Sequence, residues 1–331
     1  MTRFTEPAIR QLENDFSTAD ELDEAANTLQ ALAGEDVDAI SIKSLASEEA
    51  PFFARIVSKL SPMVGNLMEQ RIVTLLDENS SDGYRWERQD PGFPDAVLVR
   101  DSDEKVLAGY EIKAWYVLST EITGRFRESV ELLRGKNINV VIVAWCMSHL
   151  VFGQPRILGV LTVSGEELAS SRDSHYHKPP NYLTIEPNDT SDRTINLQQS
   201  NVNGYRLQER KCNPDKLNLA RQFKYTNEPP NSPEAQSEAA HLMAELEYRL
   251  DTNFAKIDRV QNASVEKFKR EILRSRFLDR KIITWKSIFG NLSSPDNLKR
   301  LQAEEIIEKL FDQMKQSTPK TAVAEESPNA H

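Results

Sequence analysis

Residues 94–115 read PDAVLVRDSDEKVLAGYEIKAW, and this stretch decides how the rest of the chain is understood. Residues 106–115 form an apolar run, and in an extended chain successive side chains point to opposite faces. Glu111 and Lys113 then share one face, while Ala108, Tyr110 and Ile112 take the other. One face is apolar and one is chemical. Asp95 follows Pro94 and stands 16 positions before Glu111, adding a second carboxylate. Two carboxylates and an ammonium suit a divalent cation held beside a phosphate. Mg²⁺ in particular is a hard ion that prefers oxygen and usually takes only one or two protein carboxylates. The competing reading is a surface strand whose Glu/Lys pair is solvated.

Working outward, Ser61 can cap a helix that begins at Pro62 and runs through Asp77, with Val64, Met68, Ile72 and Leu75 at helical spacing. Residues 84–88 and 96–99 predict short strands separated by the Asp90-Pro91-Gly92 turn, and residues 106–115 a third strand. Ser119 or Thr120 can cap a second helix reaching about Leu133, closed by Gly135. The almost unbroken apolar run 138–146 predicts a strand covered on both faces, and 157–163 another. A helix, a three-stranded meander, a crossover helix and two further strands give an α/β fold: a mixed central sheet flanked by helices.

In motif and in order of elements, residues 61–163 resemble the PD-(D/E)xK nucleases, and among them the type II restriction endonucleases. The resemblance implies that Asp95 and Glu111 bind the metal, that Lys113 is the catalytic lysine, and that Glu69 on the first helix reaches the metal directly or through water. It implies Mg²⁺ as cofactor, double-stranded DNA as substrate, and products bearing 5′-phosphate and 3′-hydroxyl. The lysine would orient or help deprotonate the attacking water and offset charge in the transition state. Cutting both strands of a twofold site implies a homodimer. A repair or recombination nuclease, such as a mismatch-nicking enzyme or a junction resolvase, would use the same core. An inactive DNA-binding regulator built on it is a further alternative.

The second helix carries Thr120, Arg125 and Arg127 near its start, where a helix N-terminus backed by arginines suits a phosphate. Between residues 170 and 225 apolar periodicity fades, and Asn196, Gln198, Gln199, Asn201 and Asn203 crowd together with Arg193 and Arg206. Amides pair with adenine and arginine with guanine in the major groove, which makes this stretch the candidate for sequence reading; satisfied turns are the alternative. His177 and Lys178 lie at its start, where they suit contact with phosphate or the ordering of the Pro179-Pro180 turn. His175-x-His177 has no Cys/His partner set of zinc spacing.

The net charge of −10 is unevenly spread. Residues 1–50 hold 3 basic and 12 acidic side chains, a net of −9, so the remainder sums to −1. Leu22, Ala25, Ala26, Leu29 and Leu32 give this acidic segment a helix closed by Gly34, expected to face away from a polyanion. Past Pro229-Pro230, Leu242, Leu246, Leu250, Phe254 and Ile257 form one helical stripe, and Phe268, Ile272 and Ile283 a second. The second is interleaved with a basic cluster from Lys267 to Lys286. Residues 297–314 predict a last helix and 316–331 a disordered tail. The expected divisions are therefore 1–58, a nuclease core at 59–168, a recognition region at 169–228, a helical region at 229–316 and the tail at 317–331. With 331 residues there is ample core for one elaborated domain or two small ones. No apolar stretch approaches the roughly 20 residues of a membrane span, no signal h-region is seen, and two cysteines give neither a disulfide frame nor a zinc site. No nucleotide-binding glycine motif is present, so no membrane or nucleotide partner is expected, and the cytoplasm is the expected setting.

Overall fold

The computed structural model describes residues 19–43, 49–89, 92–176, 182–186, 204–208, 214–215, 218, 249–250 and 255–317. Its centre is a five-stranded mixed sheet of β1 (Tyr84–Arg88), β2 (Ala96–Arg100), β3 (Lys105–Tyr116), β4 (Ile138–Met147) and β5 (Pro155–Ser164), in that spatial order. The meander β1–β2–β3 is antiparallel, with Arg88 opposite Ala96 and Ala96 opposite Tyr110. β3 and β4 run parallel, with Glu111 beside Val140, and β5 returns antiparallel to β4. The expected α/β fold is the observed one, and each of the five expected strands appears.

Alternation explains how the sheet is covered. On the face of Tyr110, Ile112 and Ala114, Trp86 stacks on Tyr110 with ring centroids 4.8 Å apart. The helix α2 (Ala50–Glu78), which follows α1 (Ala19–Ala31), crosses the same face: a β-carbon on Gly65 would lie 3.7 Å from that of Ala114. On the opposite face, Trp115 meets Phe268 edge-on at 6.3 Å. Phe268 belongs to α5 (Ala263–Arg274), whose Ile272 lies so close to Gly159 of β5 that a β-carbon there would sit 2.8 Å from it. Both faces are therefore buried, and β4 is apolar from Val140 to Met147 for that reason.

The described part of the acidic N-terminal region, residues 19–43, packs onto this core. Ala25, Leu29 and Leu32 are buried in it. Residues 34–42 then run along the outer edge of β5: Gly34 donates to the Ile157 carbonyl at 2.8 Å, Val37 to Pro155 at 2.7 Å and Ile42 to Gly153 at 2.8 Å. An edge strand left open is a template for foreign pairing, and this segment covers it. After β5 come α4 (Gly165–Tyr176) and a second sheet of β6 (Tyr182–Glu186), β7 (Gly204–Gln208) and β8 (Arg249–Leu250). A 3-10 turn at Ile257–Arg259 leads into α5, the hairpin β9 (Arg276–Phe277) and β10 (Arg280–Lys281), α6 (Ile282–Asn291) and α7 (Asn297–Ser317).

Several expectations are corrected. The first core helix starts at Ala50, with Pro62 inside it; Pro51 occupies the tolerated first turn, and Val57 extends the buried stripe of Val64, Met68 and Ile72 backward. The crossover helix shrinks to the single turn α3 (Val130–Leu133), capped by the Ser129 side chain. Residues 119–129 instead run as an extended strap, because their hydrogen bonds go to a distant segment. Phe126 donates to the Ala255 carbonyl at 2.8 Å, and Ile257 donates to Gly124 at 2.9 Å. Gly124 within that stretch also disfavours a helix.

The stripe expected over 242–257 is likewise not helical where described. Leu250 pairs with Tyr205 in a sheet, and Ile257 sits in the 3-10 turn. Ile283 belongs to a different helix from Phe268 and is half exposed; Ile282 is the buried neighbour. The expected tail lies outside the described residues beyond Ser317. Among the described residues no helix is long and apolar enough to cross a membrane.

Candidate active site

The meander ends where chemistry begins. β2 is preceded by Asp95, and its antiparallel pairing with β3 brings that residue beside Glu111. The Asp95 carboxylate is fixed from behind: its Oδ2 accepts the Ile112 backbone N–H at 2.7 Å. Lys113 Nζ lies 2.5 Å from Glu111 Oε1 and 3.6 Å from Asp95 Oδ2, so the two acids converge on one ammonium. The side chains are 12 % exposed for Glu111, 17 % for Lys113 and 19 % for Asp95. These values exclude the solvated surface pair. A wet Glu/Lys pair on an outer strand would have most of its surface in water.

The strap provides the cover. Gly124 passes against the Lys113 stem so closely that a β-carbon there would lie 3.3 Å from Cδ and 3.4 Å from Cβ. The strap is held by Arg172, a fully buried arginine on α4. Arg172 donates to the Phe126 carbonyl at 2.9 Å and the Glu128 carbonyl at 3.1 Å, and its Nε donates to Asp173 at 2.8 Å. On the far side, Asp258 accepts the Ile122 N–H at 3.3 Å, and Lys256 pairs with Glu121. Asn262 caps α5 and donates to Glu167 of α4 at 2.8 Å, closing the frame.

Electrostatics follow from this burial. Glu111 is pushed up to about 7, first by loss of water and then by the nearby charges of Asp95 and Glu128; Lys113 pulls the other way without offsetting them. Lys113 itself is held above its ordinary value: burial works against the ammonium, but Glu111, Asp95 and Glu69 outweigh it. Each partner is perturbed upward, which means that the pair shares a proton-rich state. The lysine is the firmly charged member. Glu111 is the member that titrates.

Glu69 stands next to this trio. Its Oε2 takes Arg88 Nη2 at 3.2 Å, and its carboxyl is raised by burial first and by Asp95 second, with Arg88 and Lys113 lowering it. Among the described residues no group of three or more His, Cys, Asp and Glu is placed to hold a metal ion. Glu69 pairs with Arg88, while Asp95 and Glu111 are the two acids on Lys113. That pair fits a hard cation on one further observation: Glu111 Oε2 is buried and has no hydrogen-bond partner. An orphaned carboxylate oxygen in the interior is rare and costly, and a cation answers it.

The other expected contacts divide sharply. Thr120, Arg125 and Arg127 lie on the strap, so the argument from a helix N-terminus falls with the helix. The Thr120 carbonyl accepts Lys286 Nζ at 3.2 Å, and Arg125 bridges Lys256 through its backbone. Arg206 lies on β7, opposite Thr184 and Arg249. His177, Lys178, Arg193, Asn196, Gln198, Gln199, Asn201 and Asn203 fall outside the described residues. Arg88, Glu128 and Arg172 were missed as parts of the site. For Arg172 a signal existed, since it follows the buried Leu168 and Ala169 at helical spacing and so lies on a buried stripe.

The chain matches no protein-family model, no curated protein and no solved structure.

Proposed function

We propose that this chain is a Mg²⁺-dependent endodeoxyribonuclease of restriction type, acting on duplex DNA as a homodimer. The observation that carries the reading is the dry convergence of Asp95, Glu111 and Lys113 at one end of the meander, with Glu111 Oε2 unanswered. Asp95 and Glu111 would hold the cation, which when bound polarises the phosphate and activates the nucleophilic water.

The chain's own residues do the rest. The Ile112 N–H keeps the Asp95 carboxylate turned toward Lys113. Lys113, whose proton is held tightly by three acids, acts as a fixed cation: it orients the water and offsets charge growing on the phosphate, and it is a poor base. The strap keeps bulk water off the Lys113 stem, which strengthens each of these interactions. In the reaction the water oxygen bonds to phosphorus, the bond from phosphorus to the 3′ oxygen breaks, and a proton ends on that oxygen. A 5′-phosphate and a 3′-hydroxyl result.

The test is incubation of the purified chain with unmethylated phage DNA and Mg²⁺, followed by sequencing of the ends. Discrete fragments sharing one motif at every terminus support the proposal. A linear duplex left intact, while a branched or hemimethylated one is cut, moves the reading to a resolvase or nicking enzyme. No cleavage of any of them sinks it.

A further inference from the structure

Among the described residues five polar or charged side chains are buried: Glu21, Gln89, Ser129, Arg172 and Asn262. Four are answered by the protein. Glu21 accepts the Ser81 N–H, Ser129 caps α3, Arg172 grips two strap carbonyls and Asn262 caps α5. Gln89 is 6 % exposed, and its Oε1 has no hydrogen-bond partner. Buried carbonyl oxygens are nearly always bonded, so this orphan calls for an explanation, and a water or an ion would supply one.

Its place indicates which partner. Gln89 donates its backbone N–H to the Asp95 carbonyl at 2.8 Å, extending the β1–β2 ladder one step past the Arg88–Ala96 pair. Because Ala96 is opposite Tyr110 in turn, the register sets Gln89, Asp95 and Glu111 in one row across three strands. That row lies on the face that carries Lys113. Gly92 seats the amide: a β-carbon there would lie 2.5 Å from Gln89 Cγ, 2.7 Å from Cδ and 2.8 Å from Nε2. Gly92 therefore lies against Cγ, Cδ and Nε2 of the amide, and Oε1 is its buried atom without a partner.

Two buried orphans, Gln89 Oε1 and Glu111 Oε2, thus share one row with Asp95 between them. Lys113 is already spent on Glu111 Oε1 and Asp95 Oδ2. A set made only of oxygens, one neutral and two acidic, is the donor set of a hard divalent cation. We infer that Gln89 Oε1 is a third protein oxygen of this cation site, an uncharged one, so that the site gains a ligand without gaining repulsion between carboxylates. The inference rests on reading this face as a cation site.

Calorimetric titration of Mn²⁺ and Mg²⁺ into the full chain without DNA tests it, at a pH above the Glu111 value of about 7. Gln89→Leu is expected to weaken Mn²⁺ binding by about 10- to 100-fold. Its metal-free melting temperature should not fall below the parent's, because an unanswered oxygen has been removed. Gln89→Glu, which keeps an oxygen there, should bind at least as tightly as the parent. Parent-like affinity in Gln89→Leu, with binding abolished in Asp95→Asn, overturns the inference and leaves the cation site standing. Gln89→Glu binding more weakly than Gln89→Leu also overturns it. A parent chain that binds neither cation overturns this inference and the cation site together.

Discussion

Two charge clusters are built on the same three-stranded meander, each a group of acids around one cationic side chain, and they differ in how far the acids reach water and in whether a buried oxygen is left unanswered. In the first, Arg85 meets Glu87 at 2.7 Å, Asp101 at 2.5 Å and Glu104 at 2.6 Å, so each of its three guanidinium nitrogens has a carboxylate. Asp101 and Glu104 are 50 % and 59 % exposed. In the second, around Lys113, both acids are mostly buried, one carboxylate oxygen is unanswered, and the Glu111 carboxyl has moved up to about 7. The first cluster is wet and saturated; the second is dry and open. Wet, saturated pairs contribute little, on the order of 0–1 kcal/mol each. A dry cluster with a spare oxygen is unfavourable until something binds, and that is the property of a site.

The largest expected effect separates the two clusters by activity. Lys113→Ala should lower the DNA cleavage rate by about 100- to 1000-fold. Arg85→Ala should leave the rate at the parent level and shift denaturant stability by no more than about 1 kcal/mol. Equal losses in both would erase the distinction.

The cover comes next. Arg172→Met removes the donors that hold Phe126 and Glu128 and should cost about 3 kcal/mol of stability by urea denaturation. It should also admit water to Lys113 and slow cleavage. A variant of unchanged stability would show that the strap is not held from α4. Gly109→Ala tests the approach of Asp95: a β-carbon there would lie 2.2 Å from Pro94 Cγ and 3.1 Å from the Ala96 carbonyl. Rigid neighbours of that kind make overpacking cost about 1–3 kcal/mol. The melting temperature should drop, and cation affinity should drop with it because Pro94 carries Asp95.

The smallest effect is one of pH. Below about 7 the metal-free Glu111 is protonated, so a cation must displace a proton, and affinity should fall about tenfold per pH unit there while staying level above. Stability runs the opposite way. Between the ordinary 4.5 and about 7 the folded chain holds a proton that the unfolded chain has lost, so metal-free stability decreases as pH rises through that window. Affinity for Mn²⁺ that is flat from below to above the window would remove Glu111 from the ligand set.

The sheet was legible because alternation and turn chemistry are local, and the trio because it lies on that sheet at fixed parity. The strap was not legible. Ile122, Phe126 and Val130 repeat at helical spacing, and Ile122 and Phe126 are indeed buried, yet the backbone bonds that decide the conformation come from residues 255–257. Local periodicity gave the right burial and the wrong element. The same holds for Leu250 and Ile257, whose spacing mimics a helix while their pairing partners are Tyr205 and Gly124. Within the site, the family resemblance implied Glu69 as a ligand, but the sequence had no means to show Arg88, which takes its carboxylate. It likewise had no means to set the wet Arg85 network apart from the dry Lys113 one, since both show as charges scattered over the strands and the turns between them.

The most direct test compares cleavage of unmethylated duplex DNA by the parent chain with Mg²⁺, by the parent with the cation chelated, and by Lys113→Ala with Mg²⁺. Discrete fragments ending in 5′-phosphate are expected in the first reaction alone. Intact DNA in all three, or the same fragments from Lys113→Ala, would contradict the assignment of Asp95, Glu111 and Lys113 as a phosphodiester-cleaving centre.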